Sequence, residues 1–242
     1  MALRGLTVFP NMAISFPVGR QKSLDALEVA DEGDKRIFLV AQRDPEDASP
    51  EQMGLYEFGT VATIKQILKL PGNMTHVIVE GVIRGRLETV QHKRKCDYVE
   101  ITTIAQDFPE LPEVHTAAEM RIAQDLYEEY AKFVPNTTAV DLLPNVLASG
   151  KPGKLADVIA AGLEISFDRK QRILEILNPY DRLQAVMEIM RYEQQVLRVK
   201  REIEAKTKDA IDKNQREYFL REELKVIQEE LGDKDGIVAD AG

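Results

Sequence analysis

The 242-residue chain has no tryptophan, one cysteine and three histidines. A lone thiol, Cys96, cannot close a disulfide within the chain, so packing must hold the fold, and a reducing compartment, the cytoplasm, is the expected location. His76, His92 and His115 are not paired at the spacing of a helical metal site, and one cysteine cannot complete a zinc cluster. No metal and no other cofactor is expected in this chain. No run reaches the roughly 18 apolar residues that cross a bilayer. The start, Met1 to Pro10, lacks a charged stretch followed by a long apolar one, so neither membrane insertion nor export is expected. Excess basic charge is also missing. A net charge of -9 argues against a nucleic-acid-binding face across the whole molecule. The one dense basic cluster, His92 to Lys95, is followed at once by Cys96 and Asp97 and reads as a solvated hairpin tip.

Catalytic signatures are equally scarce. Gly150-Lys151-Pro152-Gly153-Lys154 superficially looks like a phosphate loop, but two residues separate its glycines where four are needed, and Leu155 stands where a magnesium-binding Ser or Thr should follow. A helix stop at Gly150 and a fresh start at Pro152 explain these residues. No Ser lies in a nucleophile elbow, and Gly81 and Gly85 make no dinucleotide fingerprint; they read as bulges where a sheet bends. The residues describe a recognition or assembly module, with no reactive centre of its own.

What is present falls into an α+β arrangement. Residues 1–110 form a β-rich lobe, with strands expected at Thr7–Phe9, Ile14–Val18, Ile37–Val40, Phe58–Leu70, Thr75–Glu80, Val82–Val90 and Tyr98–Ile104. Ile37–Val40 is continuous enough in apolar character to be buried on both faces. One helix starts near Ser23 as N-cap and stops before Gly33. So many short strands with one helix predict a sheet curled into a pseudo-barrel. Phe108-Pro109 and Leu111-Pro112 mark a linker. Residues 111–179 then read as a small helical bundle, opening at a Thr116/Glu119 capping box, with helices near 116–133, 140–148, 155–161 and 168–177.

From Tyr180 to Leu231 the chain contains neither Gly nor Pro. A helix over that range would be roughly 78 Å long. An acid precedes a base by four residues at Glu202/Lys206, Glu204/Lys208, Asp209/Lys213, Asp212/Arg216 and Glu217/Arg221. Each such pair contributes about 0.2–0.5 kcal/mol. Val199, Ile203 and Ile211 stand almost alone in the middle, as on a helix bathed by solvent. Leu220, Leu224, Ile227 and Leu231 then follow the alternating four-three spacing of a coiled-coil seam. Leu183, Met190, Leu197, Ile211 and Tyr218 also fall seven apart, with Glu204 interrupting them. Residues 232–242 read as a flexible tail.

Four blocks carry a resemblance: Leu3 to Met12 (LRGLTVFPNM), Ile37 to Gln42, Val77 to Arg86 and Gln215 to Leu224 (QREYFLREEL). With them the chain resembles, over nearly its whole length, the N-terminal region of the Lon family of ATP-dependent bacterial serine proteases, of the LonA type. The resemblance implies a PUA-like β lobe, a helical lobe and a long helix leading to an AAA+ motor and a Ser-Lys protease domain. ATP and magnesium would belong to those domains, and the catalytic residues match no position here. It further implies capture of unfolded, damaged or degron-tagged proteins and support of a hexamer. Pro10, Met12, Phe16 and Pro17 are the candidate substrate contacts, with ordinary core packing as the competing account. Tyr218, Phe219, Leu220, Leu224 and Ile227 are the candidate assembly interface, meeting a neighbouring arm, the motor or substrate. The alternative is an RNA-binding β-barrel protein with a dimerising coiled coil.

Overall fold

The computed structural model describes residues 1–71, 74–104, 108, 112–134 and 143–239. Its contacts divide the chain into two units, Met1–Tyr192 and Glu193–Gly242. The β-rich and helical lobes read from the sequence both lie in the first.

That unit contains a six-stranded sheet made of β1 (Ala2–Leu3), β2 (Ala13–Val18), β3 (Arg36–Ala41), β4 (Phe58–Leu70), β5 (Met74–His92) and β6 (Asp97–Thr103). The order is β1-β3-β4-β5-β2, with β6 also on β5; β1 runs parallel to β3 and every other pair is antiparallel. Strand β3 is buried on both faces, as its unbroken apolar run predicts. Ile37 and Leu39 enter one cluster with Val77, Val79 and Leu27. Phe38 and Val40 enter another with Leu55 and Leu87, the period-two alternation putting successive side chains on opposite faces.

Several local expectations are corrected. The two strands read at Thr75–Glu80 and Val82–Val90 are one 19-residue strand. Their break survives as a bulge: Ala62 pairs with Gly81 and Val61 with Ile83, leaving Val82 unmatched. Gly81 is required there because a Cβ would run into the carbonyl of Phe9. Gly85 is different: it pairs directly with Gly59, and a Cβ would press on Phe38 at 3.2 Å and Ile101 at 3.3 Å, so it is a packing position. Thr7–Phe9 forms no strand. Gly5, at φ +59, turns the chain after β1, and the apolar run becomes a buried strap whose Val8 carbonyl accepts from Thr60 Oγ1 at 2.6 Å.

Helix α1 (Gln21–Glu32) begins before Ser23: Arg20 fills the cap position without a side-chain bond, and the Ser23 amide donates to its carbonyl at 2.9 Å. Helix α2 (Glu113–Ala131) likewise starts ahead of Thr116, with Pro112 at the cap, because the fixed proline backbone sets the entry and its carbonyl accepts from His115 and Thr116. Helices α3 (Leu143–Ala148), α4 (Pro152–Gly162) and α5 (Phe167–Glu175) complete the bundle with the first turns of α6 (Pro179–Ala239). Gly150 at φ +63 and Pro152 in the first turn of α4 make the stop and start expected of them. Tyr127, Tyr130, Leu155, Ile159, Ile173, Leu183 and Met190 form the bundle core. Residues 72–73 between β4 and β5, the linker positions Pro109 to Leu111, and residues 135–142, which include the start of the helix expected near 140–148, lie outside the described residues.

The second unit is helix throughout its described length, the helical backbone running past Leu231 through Gly232 and Gly236 to Ala239. Each glycine costs only about 1 kcal/mol relative to alanine within a helix that is already propagating.

Candidate substrate-contact surfaces

Two sides of the first unit are joined through a buried ionic centre. Arg84 on β5 points inward, at 2 % exposure, although strand alternation alone would place it with Arg86 in solvent. Its guanidinium grips Asp157 of α4 with two bonds, Nη1 to Oδ2 at 2.8 Å and Nη2 to Oδ1 at 2.5 Å, while Nε donates to the Leu174 carbonyl at 3.0 Å. Arg182 of α6 approaches from the other side. Its Nε lies 3.0 Å from Asp157 Oδ1, an ion pair to the same carboxylate.

Two cations thus share one buried carboxylate. The remaining positive charge is met by the C-terminal end of α5: Arg182 Nη1 donates to the carbonyls of Ile176 and Leu177 at 2.6 and 3.0 Å, and Arg84 uses that of Leu174. The helix C-terminus carries about half a negative charge, which offsets part of this excess. Burial pushes the Arg182 pKa down to about 10; Asp157 opposes the shift and Arg84 adds to it, and the group remains charged near neutrality. Gly153 makes room for it, since a Cβ there would come within 2.6 Å of Arg182 Nη2 and 2.9 Å of Pro179 Cβ. A second seam runs beside the first, where Gln171 Nε2 donates to the Phe58 carbonyl at 2.9 Å and Thr7 Oγ1 to that of Phe167 at 3.2 Å.

Sequence reading missed this centre. The available signal was Asp157, one acid inside the apolar run Leu155 to Ala161, which can be buried only with a cation beside it.

On the bundle, α2, the α3–α4 turn and the start of α6 enclose an open groove of about 940 Å³. Met120, Leu147, Pro152 and Tyr180 line it together with Arg121 and Lys151. The turn that superficially looks like a phosphate loop is therefore one wall of a mixed apolar and polar groove. Outside this lining α2 also carries exposed apolar residues, Val114 at 80 % and Ile122 at 47 %.

The sequence candidates are divided by the fold. Phe16 is a core residue and Pro10 is buried against the Gly81 bulge, so neither offers surface; Met12 is half-buried and Pro17 exposed. Gly81 N donates to the Met12 carbonyl at 2.9 Å, which sets Met12 beside the exposed Val82. Tyr218, Phe219, Leu220, Leu224 and Ile227 are all more than half exposed on α6. The basic cluster His92 to Lys95 is drawn into local pairs: Lys95 meets Glu28 at 2.9 Å, His92 meets Asp97 at 2.9 Å and Lys93 lies over the Tyr98 ring at 4.3 Å. Among the described residues no helix is long and apolar enough to cross a membrane.

Comparison of folds gives the class first: the architecture is that of the N-terminal domains of Lon proteases. The N-terminal domain of Mycobacterium avium complex Lon protease matches with a TM-score of 0.60 at 18 % identity, over 78 % of this chain and 95 % of that one. The Lon N-terminal domain protein from Xanthomonas campestris matches with a TM-score of 0.55 at 15 % identity over the same shares. Identities so low speak for fold alone. Sequence then supplies the family. The family model for the ATP-dependent protease La (LON) substrate-binding domain matches residues 1–192, and the chain belongs to that family. It is 40 % identical over 235 residues to Lon protease of Clostridium acetobutylicum, covering 96 % of this chain and 30 % of that protein. Against Lon protease of Brevibacillus choshinensis it is 39 % identical over 236 residues, covering 98 % and 30 %. The chain thus spans about 30 % of the length of the curated relatives it matches.

Proposed function

We propose that this chain is the non-catalytic N-terminal module of an ATP-dependent serine protease, and that it engages unfolded, damaged or degron-bearing proteins and supports a hexameric assembly in the cytoplasm. Nucleotide, magnesium and peptide-bond cleavage belong, in this reading, to domains outside the chain. The observation that carries it is the open groove beside α2, where Met120, Leu147, Pro152 and Tyr180 bring apolar surface together in one place; Met53, Val114 and Val82 add single exposed apolar side chains elsewhere on the unit. A concave, partly apolar surface suits the side chains that an unfolded polypeptide displays and a native protein hides. The Met12–Val82 region of the sheet and the groove beside α2 are the first contact sites to consider; exposed Pro17 lies further along β2, opposite His76. The exposed stripe from Tyr218 to Ile227 on α6 serves assembly.

The test is titration of the chain with a reduced, alkylated and permanently unfolded protein, and separately with the native form of that protein, read by chemical-shift change. Only the unfolded form should bind, and Val82→Glu or Val114→Glu should weaken it. Equal response to both forms, or to neither, would overturn the capture reading.

A further inference from the structure

Helix α6 displays a second apolar stripe besides the one already singled out. Val196, Val199 and Ile203 are 43, 54 and 58 % exposed and spaced three and four apart; Leu220, Leu224 and Ile227 are 53, 57 and 54 % exposed and spaced four and three apart. Continuing the alternation from Ile203 leads through Lys206, Ala210, Lys213 and Glu217 to Leu220 without a skip, so both stripes lie on one heptad seam with a polar middle.

We infer that two copies of this chain pair through α6 in antiparallel orientation, with Val199 of each copy against Leu224 of the other. Resting on the reading of α6 as an assembly surface, this adds orientation, register and partner. The spacings are mirror images, so one antiparallel register aligns every seam position: Val196 with Ile227, Val199 with Leu224, Ile203 with Leu220, Lys206 with Glu217 and Ala210 with Lys213. Each apolar pair occurs twice about the two-fold axis. Charge selects the direction. Antiparallel pairing sets Lys206 opposite Glu217, whereas unstaggered parallel pairing would set Lys206, Lys213 and Glu217 each against its own copy. Of the charged flanking pairs, Asp209 with Arg216 attracts, whereas Glu202 with Glu223 and Lys200 with Arg221 repel, so the choice of direction rests on the seam.

Cysteine cross-linking of the full 242-residue chain tests the register, in a Cys96→Ser background that removes the other thiol. Val199→Cys and Leu224→Cys both fall at exposed positions, and retained helix is checked by circular dichroism. On oxidation, a mixture of the two variants should form a covalent dimer while neither variant alone does. Lys206→Glu should weaken dimerisation about tenfold and Lys206→Glu/Glu217→Lys should restore it. Self-linking of each single variant would overturn the antiparallel register while leaving assembly through α6 intact. A chain that stays monomeric in sedimentation and forms no cross-link would overturn both.

Discussion

Asp157→Leu removes the carboxylate that both arginines meet and leaves Arg84 and Arg182 buried beside each other, at 2 and 1 % exposure. Removing one partner of a buried pair costs about 3–5 kcal/mol, because the surviving charge keeps its desolvation penalty and loses its compensation. Carbonyls at the end of α5 still solvate both guanidinium groups, which places the expected loss toward the lower figure. Against a total stability of about 5–15 kcal/mol, such a loss is large. In a unit of this size it corresponds to a fall in Tm of roughly 6–20 °C. Urea unfolding followed by far-ultraviolet circular dichroism reads the loss directly, and tyrosine fluorescence reports the bundle through buried Tyr127 and Tyr130 without tryptophan interference. Arg84→Met/Asp157→Leu should lose less than the two single changes together, with a coupling of about 1–3 kcal/mol. A loss below about 1 kcal/mol for Asp157→Leu, or strict additivity in the double variant, would refute the claim that this carboxylate compensates two buried cations.

Gly81→Ala should cost about 2–4 kcal/mol and displace the Phe9–Met12 turn, visible as amide shifts at Asn11 and Met12, because the new methyl overlaps the Phe9 carbonyl. Gly153→Ala should also lower stability, by about 1–3 kcal/mol, since the new methyl meets both Arg182 Nη2 and the rigid ring of Pro179; loss of the Arg182 contacts in a crystal structure of the variant checks the cause. Leu224→Glu should lower the apparent mass in sedimentation while leaving the circular dichroism of the sheet and bundle unchanged. Unchanged mass would count against association through α6.

Much of the architecture was legible because its signals are periodic. Strand β3 announced two-sided burial through four consecutive apolar residues, and Gly150 with Pro152 announced a break through backbone preference alone. What escaped was decided by distant partners. Thr7–Phe9 has strand composition, yet Gly5 turns the chain after β1 and the segment meets β4 and β5 as a strap, through Val8 and Phe9, without forming a ladder. Ser23 and Thr116 are good cap residues that the helices overran, since Arg20 and Pro112 already supplied suitable entry geometry. Arg84 shares the alternation phase of exposed Arg86 and is buried only because Asp157 of α4 and the end of α5 cover the sheet at that point. For the candidate contacts, residue type could not distinguish Phe16 from Pro17, although they are neighbours; the pleat sends one inward and the other to water. The α6 stripe was easier to read because a helix this sparse in apolar residues has few ways to bury them.

Strand β2 ends one path of the sheet, and Pro17 sits within it opposite His76. A proline there withholds an amide proton from the outer rim, where an incoming extended chain would otherwise zip on. Under the proposed capture of unfolded polypeptides, this would act as a safeguard: clients held by their side chains could be released, instead of being templated into the chain's own backbone ladder.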